Sequence, residues 1–200
     1  MDFFDIFQLS VLILFLILFI GDSIRLYSKG VRIFVSKKDK SSLRVAMESV
    51  FIAVLLLWMY EIIKNAAGIS FSPIPAFLSE PFYISIVLKY MGTVLIFIGF
   101  VLFILALIAL GPSWRIGLDT ENPGKLVTSG IFSVTRNPVF IFIILYFTGT
   151  AFIYTSWFFS GLAIMAIFGI HFHILNEEKF MKKMYGEAYL AYCQKINRYF

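Results

Sequence analysis

The stretch Val139–Leu175 reads VFIFIILYFTGTAFIYTSWFFSGLAIMAIFGIHFHIL, 37 residues without one Asp, Glu, Lys or Arg. As a single helix it would reach about 55 Å at about 1.5 Å per residue, against a bilayer hydrocarbon core of about 30 Å. The run must therefore fold back on itself. Tyr154-Thr155-Ser156-Trp157 is the natural break. Two antiparallel helices result, each a little short of a full span and joined by a tight turn.

Three further apolar runs precede this hairpin. Phe3–Ile20 contains one charge, Asp5; Val45–Ile63 has Glu48 and Glu61 near its ends; Phe82–Leu110 is charge-free from Tyr90 onward. The opening Met-Asp-Phe-Phe-Asp lacks a basic region, and Gly21-Asp22-Ser23-Ile24-Arg25 follows where a small-residue cleavage site would be. The first run therefore reads as an uncleaved helix rather than a signal peptide. Composition agrees with membrane residence. Of the 200 residues 60% are hydrophobic and 14% charged, where soluble domains average about 25% charged. A soluble sphere of this size cannot hide so much apolar surface, so lipid is part of its solvent. A soluble globular enzyme, a disordered chain and an ordinary nucleic-acid module are excluded. The single cysteine, Cys193, excludes a disulfide framework and a multi-cysteine metal site.

The net charge of +5 is unevenly placed. Arg25, Lys29, Arg32, Lys37, Lys38, Lys40 and Arg44 follow the first run; Arg115, Lys125 and Arg136 follow the third; Lys179, Lys182, Lys183, Lys195 and Arg198 follow the hairpin. Only Lys64 and Lys89 fall on the opposite side. Basic loops face the cytoplasm, so the N-terminus is expected outside and the C-terminus inside. The expected fold is an all-α integral membrane protein of about five transmembrane helices. It has a C-terminal helical hairpin, a cytoplasmic loop and an amphipathic C-terminal helix. Residues 1–200 form one membrane domain, with three spans in 1–110 and the loop, hairpin and final helix in 111–200.

The loop Gly111–Pro138, GPSWRIGLDTENPGKLVTSGIFSVTRNP, is too rich in Gly, Pro and polar residues, and too long, to be a mere connector. Such a loop positions backbone amides around a ligand. Arg136 enters the hairpin and Asn176-Glu177-Glu178 leaves it on the same side. Arg136 reads either as a snorkelling interfacial arginine or as a fixed cation for an anionic ligand. The two acids read either as a solvated helix exit or as a carboxylate pair for an ammonium, ribose hydroxyls or Arg136. His173 and Glu177, four apart, share a helix face as a potential hydrogen-bonded pair. His171 and His173 point to different faces and do not make a zinc site. Basic-aromatic interleaving from Lys179 to Phe200 fits an interfacial helix rather than a single-strand nucleic-acid surface. No Walker A, GxSxG, HExxH or GxGxxG pattern is present.

GKLVTSGIFSVTRNPVF (Gly124–Phe140), then the hairpin, then EEKFMKKMYGEAYLAYCQKINR (Glu177–Arg198), resembles the isoprenylcysteine carboxyl methyltransferase family. That family's pattern overlaps with that of the phospholipid methyltransferases. Its usual form is [HK]xLVxxGxYxxxRHPxY, then EE, then FGxxYxxY, and the resemblance covers about the last 90 residues, from Trp114 on. It implies a membrane-embedded enzyme using S-adenosylmethionine, held under the membrane surface between the loop and the C-terminal helix. On the matching positions it implies cofactor contacts from Gly124, Lys125, Leu126, Val127, Phe132, Asn137, Pro138, Val139, Phe140 and Glu177. It leaves Arg136, Glu178 and His173 as the catalytic set. Asn137 stands for the family histidine, Phe132 and Phe140 for tyrosines, and His173 for an arginine that would face a prenylcysteine carboxylate. The histidine cannot make a bidentate fork. The expected acceptor is a lipid-like or isoprenylcysteine-type carboxylate, with a lipid-like group other than prenylcysteine favoured by the histidine. The chain lacks the extra N-terminal spans of the eukaryotic enzymes, so the expected setting is a bacterial or archaeal cytoplasmic membrane. An amphipathic acceptor is expected to enter from the bilayer through a gap between the third span and the hairpin. A pocket sealed by Leu126, Val127, Phe132 and Phe140 would favour a carboxylate attacking a sulfonium, because that transition state disperses opposite charges. The residues also allow two other readings: an NADPH-dependent sterol- or enone-type reductase, against which the Glu177-Glu178 pair counts, and a non-catalytic protein that keeps the fold.

Overall fold

The structure, a computed structural model, describes residues 2–30, 42–114 and 124–200, the side chains of residues 43 and 44 excepted. Arg32, Lys37, Lys38, Lys40, Arg115 and the side chain of Arg44, part of the basic charge expected at the cytoplasmic face, lie outside the described residues. The elements are α1 (Phe3–Ser28), α2 (Ser42–Ala67), a short α3 (Ala76–Ser79), α4 (Ile86–Leu110), α5 (Pro138–Tyr154) and α6 (Trp157–Lys195). Single 3-10 turns cover Gly111–Ser113 and Gly130–Ser133. Among the described residues, α1, α2, α4 and α6 are long and apolar enough to cross a membrane; α5 is a shorter apolar helix. The protein is an all-α integral membrane protein.

Local signals start and stop these helices. Asp2 and Asp5 form a reciprocal capping box, Asp5 N donating to Asp2 (3.0 Å) and Asp2 N to Asp5 (3.1 Å). Pro138 opens α5, where its missing N–H costs nothing. The hairpin turns at the expected place. Thr155 takes a left-handed conformation (φ 45°) and Ser156 caps α6 by accepting from Phe159 N. Thr155 also donates its hydroxyl to the Tyr83 carbonyl, and Phe82 N donates to Thr155 O at 3.0 Å. This explains one difference from expectation: the third span begins at Ile86, not Phe82, because residues 82–85 lie alongside the hairpin turn and tie it down.

The hairpin helices are not equal, which corrects the expectation of two slightly short spans. α5 has 17 residues and α6 has 39, or about 58 Å for α6. The expected amphipathic tail helix is the continuation of α6 past Leu175. Glu, Lys, Met and Ala dominate residues 177–188, and these propagate a helix readily. The regular geometry breaks once, at Gly186 (φ 53°, ψ −129°), a conformation that glycine adopts at little cost.

α4 and α5 approach each other at backbone distance. A Cβ on Gly149 would lie 2.6 Å from the Gly92 carbonyl oxygen and 2.6 Å from Ile96 Cγ1. Small residues permit such contacts between helices in lipid. Where Gly92 meets Gly149 the two helices leave no space between them. Phe103, Phe142 and Ile96 fill the centre, with Phe15 of α1 against both rings. α1 is fastened to α5 by buried polar bonds: Gln8 Nε2 donates to Thr150 Oγ1 (2.7 Å) and Tyr146 OH to the Gln8 carbonyl (3.2 Å). Trp58 of α2 stacks on Phe147 with ring centroids 4.7 Å apart. Outside, Ile17, Phe97, Ile108, Met165 and Phe168 are exposed, as side chains facing lipid should be.

Candidate active site

The end of the bundle that holds the start of α5 is built by three segments meeting. Gly124 and Gly130, with φ of 77° and 63°, let the loop bend twice. Between them Lys125, Leu126 and Val127 run along the mouth, and the turn Gly130–Ser133 buries Phe132. The loop is held by phenols of α6: Tyr185 OH donates to the Gly124 carbonyl (3.2 Å) and Tyr192 OH to the Phe132 carbonyl (2.6 Å). The start of α5 supplies Arg136 to Phe140, and α6 supplies His173, Glu177 and Glu178.

These segments enclose a cavity of about 340 Å³, within the range of small-molecule sites. Lys125, Leu126, Val127, Phe132, Arg136, Asn137, Pro138, Val139, Phe140, His173, Glu177 and Glu178 all line it. Gly124, also expected in the site, stands behind Tyr185 through its carbonyl. The motif halves, separated by the hairpin in sequence, are thus joined in space. Sequence reasoning missed Phe19, Ser113, Trp114, Ile143, Met181 and the tyrosines Tyr185, Tyr189 and Tyr192, all on the wall. Tyr189 and Tyr192 were detectable, since a spacing of three puts side chains on one helix face; Tyr185 lies before the break at Gly186, so spacing alone did not place it with them. Phe19, whose ring meets Trp114 edge-on at 6.0 Å, carried no signal, because only packing brings α1 to this cavity.

The adjacent acids diverge. Glu178 is buried (7% exposed) and both its oxygens are engaged. Arg198 donates Nε to Oε1 at 3.0 Å and Nη2 to Oε2 at 2.8 Å, and Arg136 Nη2 lies 3.1 Å from Oε1. The hydrogen bond to Glu178 holds the Arg198 guanidinium above the ordinary arginine range. Arg136 also donates Nη1 to Cys193 Sγ, while its buried Nε has no partner among the described residues. Glu177 faces the cavity and pairs with no cation there among the described residues. The expected His173–Glu177 hydrogen bond is absent. His173 instead sets its ring against that of Phe140, centroids 5.2 Å apart and planes at 65°. Asn137 donates its side-chain amide to the Arg198 carbonyl (3.0 Å), so one face of it serves the protein and the rest faces the cavity.

An apolar, aromatic-walled cavity with one carboxylate unpaired among the described residues, one partly compensated guanidinium and the Lys125 ammonium suits a small molecule carrying both a cation and an anion. The family description phospholipid methyltransferase matches residues 87–188, half of the chain, from α4 through the loop and hairpin into the last turns before Tyr189. The chain belongs to the phospholipid methyltransferase family. Two proteins of rice are similar to it, from Oryza sativa subsp. indica and subsp. japonica, each named probable protein-S-isoprenylcysteine O-methyltransferase. Each is 28% identical over 113 residues, 54% of this chain and 59% of the relative. The match therefore spans about three-fifths of the length of these curated relatives.

Proposed function

We propose that this protein is a membrane-embedded methyltransferase that takes S-adenosylmethionine as cofactor and a lipid-like or isoprenylcysteine-type carboxylate as acceptor. The observation that carries the reading is that both halves of the divided motif converge on one cavity. The residues present fit the cofactor. Glu177 offers an unpaired carboxylate to an ammonium or to ribose hydroxyls. Phe132 and Phe140 offer aromatic faces, which attract cations. Gly124, Lys125, Leu126, Val127, Asn137, Pro138 and Val139 supply the remaining contacts along the loop and the first turn of α5.

When bound, the cofactor supplies a methyl group activated on a sulfonium. The chain's own part is alignment and exclusion of water. Leu126, Val127, Phe132, Phe140 and Ile143 keep the cavity apolar, and ionic attraction strengthens as water leaves. Arg136 holds the anionic end of a ligand at a fixed place, because Glu178 only partly offsets its charge. His173 orients beside Phe140 and narrows the site. Holding nucleophile and methyl in line is worth far more than acid-base chemistry for such a transfer. The amphipathic acceptor enters from the bilayer, and Lys125, Arg136 and the basic residues of α6 favour the cytoplasmic face for this end of the bundle.

The test is isothermal titration of the protein in lipid nanodiscs with S-adenosylhomocysteine, with NADPH as competing ligand. It is followed by transfer of radiolabelled methyl to N-acetyl-farnesylcysteine, a fatty acid or phosphatidylethanolamine. Saturable binding of S-adenosylhomocysteine and labelling of a carboxylate acceptor are expected. Labelling of the amine lipid alone would replace the carboxylate acceptor by an amine. Binding of NADPH without S-adenosylhomocysteine would overturn the reading in favour of a reductase.

A further inference from the structure

We infer that the C-terminal strap, residues 196–200, acts as a clasp that sets Arg136 in the cavity wall, and that Arg198 is a positioning residue working through the shared carboxylate of Glu178. The inference rests on the cavity being the reaction site, but its central test does not depend on which ligand binds.

α6 ends at Lys195, and Ile196 turns the chain into extended backbone (φ −123°, ψ 131°). The strap then lies against the root of α5. Arg136 N donates to the Asn197 carbonyl at 3.2 Å. Thr135 Oγ1 and Asn137 Nδ2 both donate to the Arg198 carbonyl, at 3.3 and 3.0 Å. Tyr199 OH pairs with His171 Nδ1 at 2.7 Å, tying the strap's far end back to α6. Thr135, Arg136 and Asn137 are therefore all bonded to the strap, and the backbone from which Arg136 projects is fixed from outside the cavity.

The side chain is set by competition for one carboxylate. Arg198 takes both oxygens of Glu178 in a fork, the strongest geometry available to the pair. Arg136 approaches Oε1 through Nη2 at 3.1 Å, and its Nη1 rests on Cys193 Sγ. Its Nε remains buried without a partner among the described residues. Two guanidiniums share one carboxylate, so the group keeps a net positive charge. Arg136 lines the cavity and Arg198 does not, so that charge is presented through Arg136. Without Arg198, both oxygens of Glu178 become available. Arg136 then closes onto them as a fork, leaves Cys193, and presents a neutralised pair to the ligand.

Cys193 is the chain's single cysteine and is partly exposed, so its maleimide labelling rate reports whether Arg136 covers it. The experiment measures that rate on the full chain in nanodiscs for wild type, Arg136→Ala, Arg198→Ala, Arg198→Lys and the Arg136→Ala/Arg198→Ala double variant. Each is first checked for a monodisperse size-exclusion profile. Arg136→Ala fixes the direction and size of the change on uncovering the thiol. Arg198→Ala is expected to move the rate in the same direction and most of the way there. Arg198→Lys, which cannot make the fork, should move it by less. The double variant should match Arg136→Ala, because a residue that acts only through Arg136 adds nothing once Arg136 is gone. Titration with S-adenosylhomocysteine should show the same non-additive pattern. A wild-type labelling rate in Arg198→Ala, or in Arg198→Lys should the alanine variant not be monodisperse, would overturn the clasp. So would fully additive changes in the double variant, or a wild-type rate in Arg136→Ala. Failure of S-adenosylhomocysteine to bind wild type would refute the proposed cofactor and leave the labelling result standing.

Discussion

Glu177 and Glu178 are neighbours in sequence, and the structure predicts that alanine at each will fail differently. Glu178 accepts from Arg198 at 3.0 and 2.8 Å and meets Arg136 at 3.1 Å, with its side chain 9% exposed. Removing one partner of a buried ion pair costs about 3–5 kcal/mol, because the remaining charge is stranded. Arg136 is as buried as Glu178, but Arg198 keeps 32% of its side-chain exposure, so water screens part of its loss. A cost of about 2–4 kcal/mol follows for Glu178→Ala. At about 2–4 °C per kcal/mol for a chain of this size, the apparent melting point falls by roughly 5–15 °C. Glu177→Ala breaks no ion pair with a described residue and relieves a desolvated carboxylate, so its melting point should be at or above wild type. Its penalty should be in binding. A hydrogen bond to a charged group contributes about 1.5–3 kcal/mol, so affinity for S-adenosylhomocysteine should fall by about 10- to 100-fold. Thermal denaturation in detergent, followed by the size-exclusion peak, and titration calorimetry at a temperature where both variants are folded separate the two effects. Equal destabilisation by both substitutions would refute the assignment of separate roles. So would a Glu178→Ala protein that melts with wild type.

Three further outcomes are expected. Gly149→Ala should destabilise by about 1–3 kcal/mol or more, since its Cβ meets the Gly92 carbonyl at 2.6 Å and backbone cannot step aside; Gly161→Ala, with nothing within 4 Å, should melt at or above wild type in the same thermal assay. Tyr192→Phe strands the buried Phe132 carbonyl, now bonded at 2.6 Å, and should cost about 1–3 kcal/mol together with weaker cofactor binding by calorimetry. Burial pushes the Asp2 carboxyl up, but the hydrogen bond from Lys89 (2.6 Å) and the Asp5 amide hold it lower on balance. A lowered pKa contributes stability that is present above the ordinary carboxylate range and is lost as pH falls through the folded value. Acid unfolding should therefore begin at higher pH in Lys89→Ala than in wild type, read by tryptophan fluorescence across an acid titration.

Much of the fold was legible because lipid imposes simple rules. A charge-free run of 37 residues had to turn, and the turn fell at Thr155-Ser156, where a left-handed residue meets a capping serine. The extent of α6 was not legible. A fall in hydropathy after Leu175 marks the end of lipid contact, whereas helix continuation depends on backbone propensity, and Gly186 was the first residue to interrupt it. At the site, the residues picked out by the motif, Gly124 excepted, line one cavity, but the motif gave neither the rest of the wall nor their partners. Nothing in the local pattern shows that Arg198, outside the expected set, would claim Glu178, or that His173 would turn to Phe140 rather than Glu177.

The sequence by itself determined membrane residence, an all-helical architecture, the hairpin and its turn, and the two short segments from which a site could be built. These follow from composition, charge-free length and spacing, which act along the chain. Only the tertiary structure decided that α1 contributes Phe19 to the cavity, that α4 and α5 meet through Gly92 and Gly149, and that of two adjacent carboxylates one binds the protein to itself while the other faces the cavity without an ion-pair partner among the described residues. Those outcomes depend on which charges and surfaces are close once the helices pack, and on which partner can satisfy a buried group with the better geometry.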